Sequence, residues 1–323
     1  MGLGKTAFSA SAVIVALAIA YSVQTDSMRL QALKAKNAHA SFPGQTALVV
    51  GGTSGIGEGI ARRLAQAKFD VVIAGRNAAR GDEIVKEMQS INPDGKYRFL
   101  SVDAQHLTNI PGLSSQVPPI DKLVLTQGIA TIQGYTPTSE GIDQKLALHY
   151  YGRMAFIQEF LPVLRESQNS PRVLSVLSGG IHSPYSHIRE DPELKENYSL
   201  KNAADAAGYY NDLMLDALSE KPENSGVAFA HSAPGFVATN WGTEMPWIIR
   251  MLLKPLKLFA KSKDDCGEFM ADFLLDPEVT PGKLYVINQH GDPTNTTTAH
   301  TEEAKAFIYQ HTIDRIAAAV KTN

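Results

Sequence analysis

The stretch VVGGTSGIGEGIARRLA, Val49 to Ala65, places five glycines between an apolar run and an amphipathic one. Glycine loses more backbone entropy on folding than any other residue, so a cluster of this density needs a reason. A strand that runs straight into a glycine-rich turn and then a helix supplies one. Gly51 permits a tight turn, Gly55 lets backbone amides approach a pyrophosphate, and Gly57 lets the helix pack closely on a sheet. The unsatisfied N–H groups and the positive end of the helix dipole then face an anion. The segment Gly51–Gly57, with Ser54 and Ile56 inside it, is the expected phosphate cradle.

Strand and helix patterns alternate along the rest of the chain. Short apolar runs at Thr46–Val50, Val71–Ala74, Tyr97–Val102, Lys122–Thr126, Arg172–Val176, Gly226–His231 and Lys283–Ile287 read as strands. Helical patterns fall at Ile56–Gln66, Asn77–Ser90, Ser139–Leu164 and Ala203–Leu218. Alternation of this kind predicts a doubly wound α/β protein, a parallel sheet with helices on both faces. No repeat or low-complexity linker interrupts it. The expected organisation is one cofactor-binding domain, residues 41–323, behind an N-terminal appendage, residues 1–40.

That appendage carries an uncharged segment, Ala7–Val23, followed by a polar and helical connector, Gln24–His39. A helix over Ala7–Val23 would be roughly 25 Å long, marginally enough to span a hydrocarbon core. The expectation is a single-pass anchor on an N-terminal hydrophobic helix, with the main domain in the cytoplasm because Arg29, Lys34 and Lys36 follow the segment. A cleaved signal after Ala18-Ile19-Ala20, giving a secreted or lumenal protein, is the alternative. The formal charge of −3 makes no case for nucleic acid. No zinc-type spacing is present; His182 and His187 lie in a loop without acidic or cysteine partners at ligand spacing, and no metal site is expected. The single cysteine, Cys266, reads as a small buried apolar residue.

The spacing Gly-x-x-x-Gly-x-Gly resembles the short-chain dehydrogenase/reductase family, with Val50 in place of the family's threonine. The resemblance covers about Thr46 to Asn288. It implies a Rossmann fold, a nicotinamide cofactor, and hydride transfer between that cofactor and a carbonyl or alcohol carbon. Ala74-Gly75-Arg76-Asn77, ending the second strand, lacks the acidic residue that binds a ribose 2′-hydroxyl, and Arg76 offers a donor suited to a 2′-phosphate. NADP(H) is therefore expected over NAD(H), although an exposed arginine at a helix start is the plainer reading of Arg76. Asp103 matches the family's acidic contact to the adenine. Thr126-Gln127-Gly128 replaces the family's Asn-Asn-Ala-Gly, keeping Gly128 for close approach. Pro234-Gly235-Phe236-Val237-Ala238-Thr239 resembles the family's segment that holds the nicotinamide amide.

The resemblance also implies four catalytic roles: a tyrosine that exchanges the proton, a lysine that lowers its pKa, a serine that orients the substrate oxygen, and an asparagine that supports a water relay. Ser178, after the fifth strand, fits the serine; the plainer reading is a loop hydroxyl capping backbone. His149 falls where the asparagine belongs, as a proton relay or as a merely hydrogen-bonded histidine. Tyr-x-x-x-Lys is missing. Tyr198-Ser199-Leu200-Lys201 is one residue short, yet on a helix positions three apart share a face, so Tyr198 and Lys201 could converge. A second register, counted back from Pro234, puts Ala204 and Gly208 at those positions, with Tyr209 and Tyr210 one turn further on. Trp247–Ala260, apolar with basic residues, lies where the family has its substrate lid, and also reads as a core helix or a membrane-surface helix. The expected partner is a small lipophilic carbonyl or alcohol, and a homo-oligomer stays open. The rival reading is a non-catalytic cofactor-binding sensor or scaffold with a degenerate site.

Overall fold

The computed structural model describes residues 25–239, 251 and 260–321. The chain divides into two units, residues 1–39 and residues 40–323. In the first, residues 25–37 form a helix. The segment Ala7–Val23 lies outside the described residues, and among the described residues no helix is long and apolar enough to cross a membrane.

The second unit is built on seven parallel strands in the order 3-2-1-4-5-6-7: β1 (Thr46–Val50), β2 (Asp70–Gly75), β3 (Tyr97–Ser101), β4 (Lys122–Leu125), β5 (Arg172–Val176), β6 (Ala228–Ser232) and β7 (Leu284–Ile287). Residues of β1, β4, β5 and β6 are buried throughout, as strands covered on both faces must be. The order reverses between β1 and β4, and the crevice beyond the carboxyl ends of these strands is where an open α/β sheet takes its ligand.

Helix α1 (Gly55–Gln66) leaves β1 through the glycine turn, and α2 (Ala78–Ile91) leaves β2 with Asn77 as N-cap, its side chain accepting from the Arg80 N–H at 3.0 Å. The next helix is interrupted. It starts as Gln144–Leu146, passes through a π-turn at Ala147–Tyr151, and continues as α3 (Gly152–Glu166). Helix α4 (Leu200–Ser219) follows β5, α5 (Lys263–Leu275) follows β6, and α6 (Glu302–Lys321) closes the described chain.

Helices α1 and α5 meet closely at Gly59 and Gly267; a Cβ on Gly267 would come 2.5 Å from the Gly59 carbonyl carbon. The buried Glu58 carboxylate pins the same region, taking Arg62 at 2.6 Å, Arg80 at 2.5 Å and Lys263 at 2.5 Å. On the other face the core gathers around Tyr150, Tyr151, Phe156 and Tyr210. Helix α6 fastens there through Tyr151 Oη and His311 Nε2, 2.9 Å apart.

Candidate active site

The glycine turn adopts the conformation its composition predicts. Gly51 has φ of 82° and Gly55 of 57°, both in the left-handed region. Gly57 has no room for a side chain: a Cβ there would lie 2.5 Å from the Gly51 carbonyl oxygen and closer still to Thr126 Oγ1. Gly55 faces Thr239, whose Cγ2 would be 3.0 Å from a Cβ at that position. The segment after β6 thus folds over the turn after β1, uniting two motifs far apart in sequence. Ser54 precedes α1 in an extended conformation without capping it by its side chain, and Ile56 lies in the first turn of α1.

The other expected cofactor residues lie at carboxyl ends of the strands. Arg76, just after β2, is exposed and makes no ion pair among the described residues, whereas nearby Arg80 is occupied by Glu58, Glu83 and Glu87. Asp103 follows β3, its Oδ1 accepting from the Gln105 N–H at 3.0 Å. Gly128 is exposed and abuts His149, whose Nε2 would be 2.8 Å from a Cβ there. Gly235, after Pro234, has φ of 69° and packs on Gln289.

Two polar groups in this crevice have no partner among the described residues: the Gln127 side-chain amide and the Ser178 hydroxyl, both with buried atoms. A buried polar atom is ordinarily paired, and leaving one bare costs about 1–3 kcal/mol. A dinucleotide cofactor fits this cradle: bare amides at the head of α1, a left-handed turn admitting no side chain, and polar groups left for a ligand.

Arg153 holds the floor of the site. Its guanidinium is buried and donates to the Gln127 carbonyl at 2.7 Å, the Val176 carbonyl at 2.9 Å and Ser175 Oγ at 2.8 Å. The ends of β4 and β5 are thereby tied to α3. Burial without a carboxylate lowers this guanidinium to about 9. His149 accepts the Ile129 N–H at Nε2, 3.0 Å away. Burial, with the Arg153 and Lys145 charges, pushes its imidazole down to about 3, so the ring is neutral. Its carbonyl accepts from Asn211 Nδ2 at 2.9 Å.

The structure does not bring Lys201 to Tyr198. Lys201 is largely exposed and pairs with Asp205, one turn along α4. The Tyr198 hydroxyl takes a hydrogen bond from Lys145 Nζ at 2.6 Å, and the same ammonium donates to the Gln133 carbonyl at 2.7 Å. Burial lowers Lys145, partly offset by Asp143, and burial with Asp143 pushes the Tyr198 phenol up to about 12. Ser178 sits at a different level. A Cβ on Gly208 would collide with Ser178 Oγ and come 2.7 Å from the His182 ring, whereas Tyr198 precedes α4 altogether. Eight residues separate Gly208 from Leu200, about 12 Å along the helix. Ala204, one turn before Gly208, is exposed. The geometry beside Ser178 therefore follows the Ala204/Gly208 register. Tyr209 and Tyr210 spend their hydroxyls on the Ala299 carbonyl at 2.5 Å and the Pro192 carbonyl at 3.2 Å.

His182 does find an acid, contrary to its sequence neighbourhood: its Nε2 lies 3.2 Å from Asp212 Oδ2 of α4. Cys266 is buried, and burial pushes its thiol up to about 12, which suits a packing residue. Among the described residues no group of His, Cys, Asp or Glu is arranged to hold a metal ion. Of the stretch Trp247–Ala260, only Met251 and Ala260 are described.

A parallel sheet with a glycine cradle at its switch point defines a dinucleotide-binding α/β protein. Residues 45–189 match the short chain dehydrogenase family, and the chain belongs to that family. An oxidoreductase of Emericella nidulans is 38% identical over 218 residues, 65% of this chain and 64% of that relative, so the match spans under two thirds of the relative's length. An oxidoreductase of Emericella variicolor is 31% identical over 248 residues, 73% of this chain and 72% of the relative. Among solved structures, a 3-oxoacyl (acyl-carrier-protein) reductase from Agrobacterium tumefaciens with NADP bound superposes with a TM-score of 0.53 over 78% of this chain and 96% of that one. At 19% identity it shows the fold alone.

Proposed function

We propose that the protein is an NADP(H)-dependent oxidoreductase acting on the carbonyl/alcohol pair of a small lipophilic substrate. The observation that carries the reading is the cradle of Gly51, Gly55 and Gly57, closed by Thr239, with Arg76 exposed just after the neighbouring strand and without an ion pair among the described residues. When bound, the cofactor supplies or accepts the hydride. The turn Gly51–Gly57 would hold its pyrophosphate, Arg76 its 2′-phosphate, Asp103 its adenine, and Gly128 with Pro234, Gly235 and Thr239 its nicotinamide end.

Ser178 offers to the substrate oxygen a hydroxyl that has no partner among the described residues. An alkoxide is too basic to persist unprotonated at neutral pH, so a proton must be at hand. Tyr198 holds one, kept on its phenol by burial and fixed by Lys145 rather than Lys201, but it lies along the crevice from Ser178, so the proton would pass to the substrate oxygen through intervening water. The large apolar side chains Ile132, Ile181, Leu200 and Phe236 are exposed on the segments following β4, β5 and β6. They rim the carboxyl edge of the sheet, which supports a lipophilic substrate.

Fluorescence titration with both reduced cofactors tests the first half. Wild type should prefer NADPH, and Arg76→Asp should lose about 2 kcal/mol, roughly 30-fold, of that affinity. Equal affinity of wild type for NADH and NADPH refutes the preference. A panel of reactive carbonyls tests the second half: Tyr198→Phe should lose roughly 10²-fold in turnover while binding NADPH as before. Tight NADPH binding with no turnover on any carbonyl would favour the sensor reading.

A further inference from the structure

Three titratable side chains behind Ser178 have no part in the reaction as described so far: His182, Asp212 and His231. Their protons can be placed by hydrogen-bond logic. His231 Nε2 accepts the Ser178 N–H at 3.2 Å, so its proton sits on Nδ1, which faces Asp212 Oδ1 at 2.6 Å. His182 Nδ1 lies 3.0 Å from the Ser178 carbonyl oxygen, a pure acceptor, so this nitrogen also carries a proton. The other nitrogen of His182 is 3.2 Å from Asp212 Oδ2, off the line of a good hydrogen bond. A bare lone pair facing a carboxylate would be repelled, so Nε2 is protonated as well and the attraction is chiefly one of charge.

This arrangement favours one carboxylate, one neutral imidazole and one imidazolium, all buried. Every group facing His182 agrees. From α4 come Asp212, Asp205 and the Tyr209 ring; from β6 comes the neutral His231; from the loop after β5 comes the Ser178 carbonyl. Burial works against a charged ring, but Asp212, the Ser178 carbonyl and Asp205 raise His182 above its ordinary value. Burial lowers His231 despite Asp212, and Asp212, although buried, is held well below the carboxylate range by His231 and His182. The glycine at 208 completes the picture, since the volume its side chain would enter is filled by Ser178 Oγ and the His182 ring.

We propose that His182, fixed by Asp212, is a positioning residue that orients Ser178 and backs its hydroxyl with positive charge, from the space a side chain at position 208 would otherwise take. The inference rests on Ser178 receiving the substrate oxygen. As hydride adds to a carbonyl carbon, negative charge grows on that oxygen and the Ser178 O–H donates to it. A cation behind the serine, in a water-poor site, lowers the energy of that charge. Raising the pH removes the cation and with it the support.

Two measurements on the full chain test this. Nitrogen-15 NMR of histidine-labelled wild type, with and without NADPH, should show His182 doubly protonated near neutral pH and His231 neutral with its proton on Nδ1. The kcat/KM for carbonyl reduction should fall on the alkaline side with the midpoint of the His182 titration. His182→Gln should lower kcat about tenfold or more and abolish that limb, leaving NADPH affinity intact. Tyr198→Phe should retain the limb, and Asp212→Asn should move it to lower pH. A neutral His182 at neutral pH, or His182→Gln with wild-type kcat and an unchanged limb, overturns the proposal. If His182→Gln fails to fold, the NMR charge state and Asp212→Asn decide. If wild type reduces no carbonyl, the reading of the reaction fails, while the NMR still decides whether a cation stands behind Ser178.

Discussion

Replacing Gly208 with alanine sets two effects against each other, and the structure says which wins. Gly208 lies inside α4, where alanine is favoured over glycine by about 0.8–1 kcal/mol. The new methyl, however, would overlap Ser178 Oγ and sit 2.7 Å from both Cγ and Nδ1 of His182. Ser178 Oγ has no hydrogen bond to lose among the described residues and can rotate aside. His182 cannot yield so freely, because its Nδ1 is tied to the Ser178 carbonyl and its Nε2 to Asp212. An ordinary van der Waals contact needs almost 1 Å more, enough to weaken both ties, and overpacking of this kind costs about 1–3 kcal/mol. The expected net is a destabilisation of up to about 2 kcal/mol, the helix-propensity gain being cancelled or outweighed. Urea denaturation should show a lower midpoint at unchanged slope, and turnover should fall further than stability does because Ser178 is displaced. A Gly208→Ala protein more stable than wild type by the full propensity gain, with turnover unchanged, would refute the packing on which the role of His182 depends. Gly208→Lys, which needs far more space, should be worse on both counts.

Gly57→Ala should cost roughly 1–3 kcal/mol and most of the cofactor affinity, because its methyl would meet the Gly51 backbone, which cannot move without opening the turn; denaturation and NADPH titration read the two losses. Lys145→Met should lower turnover and Lys201→Met should leave it near wild type, the reverse of what adjacency to Tyr198 in sequence suggests. The stability that Asp212 confers, measured as wild type minus Asp212→Asn, has two edges. The raised His182 contributes fully below about pH 6.5 and is lost as pH climbs through its folded value; the depressed Asp212 contributes above about pH 4 and is lost as pH falls through its folded value. Urea melts across pH should therefore show the difference greatest between those limits, and a flat difference would refute the ion pair. Ala7–Val23 should keep the protein in the membrane fraction, with the glycosylation sequons Asn197-Tyr198-Ser199 and Asn295-Thr296-Thr297 unmodified; a glycosidase-sensitive or secreted form would reverse that topology.

The sheet was legible because buried parallel strands leave continuous apolar runs, and each predicted strand lies within about two residues of the observed one. The glycine turn was legible for a different reason, since φ values and close approaches restrict residue type locally. The proton-handling groups were not. Tyr198 and Lys145 meet across 53 residues, through a loop and a helix end that no periodicity links. His182, Asp212 and His231 come from a loop, a helix and a strand, each unremarkable where it stands. Sequence spacing reports contacts along one element and is silent on contacts between elements. Helices α5 and α6 were passed over for a related reason: both carry charged residues among apolar ones without a clean stripe, and what they bury is set by α1 and α4.

The π-turn at Ala147–Tyr151 divides its helix into two parts that can change independently. Such a turn carries one residue more than the α-helical ladder needs, and each residue is worth about 100° of rotation. Removing one residue there would turn everything before it by about that angle while leaving α3, with Arg153 on the sheet, undisturbed. Lys145 would swing away from Tyr198, and the His149 carbonyl would be reclaimed by the helix from Asn211. Loss of a single codon is thus a coarse dial for this site, breaking the contact of Lys145 with Tyr198 at one stroke.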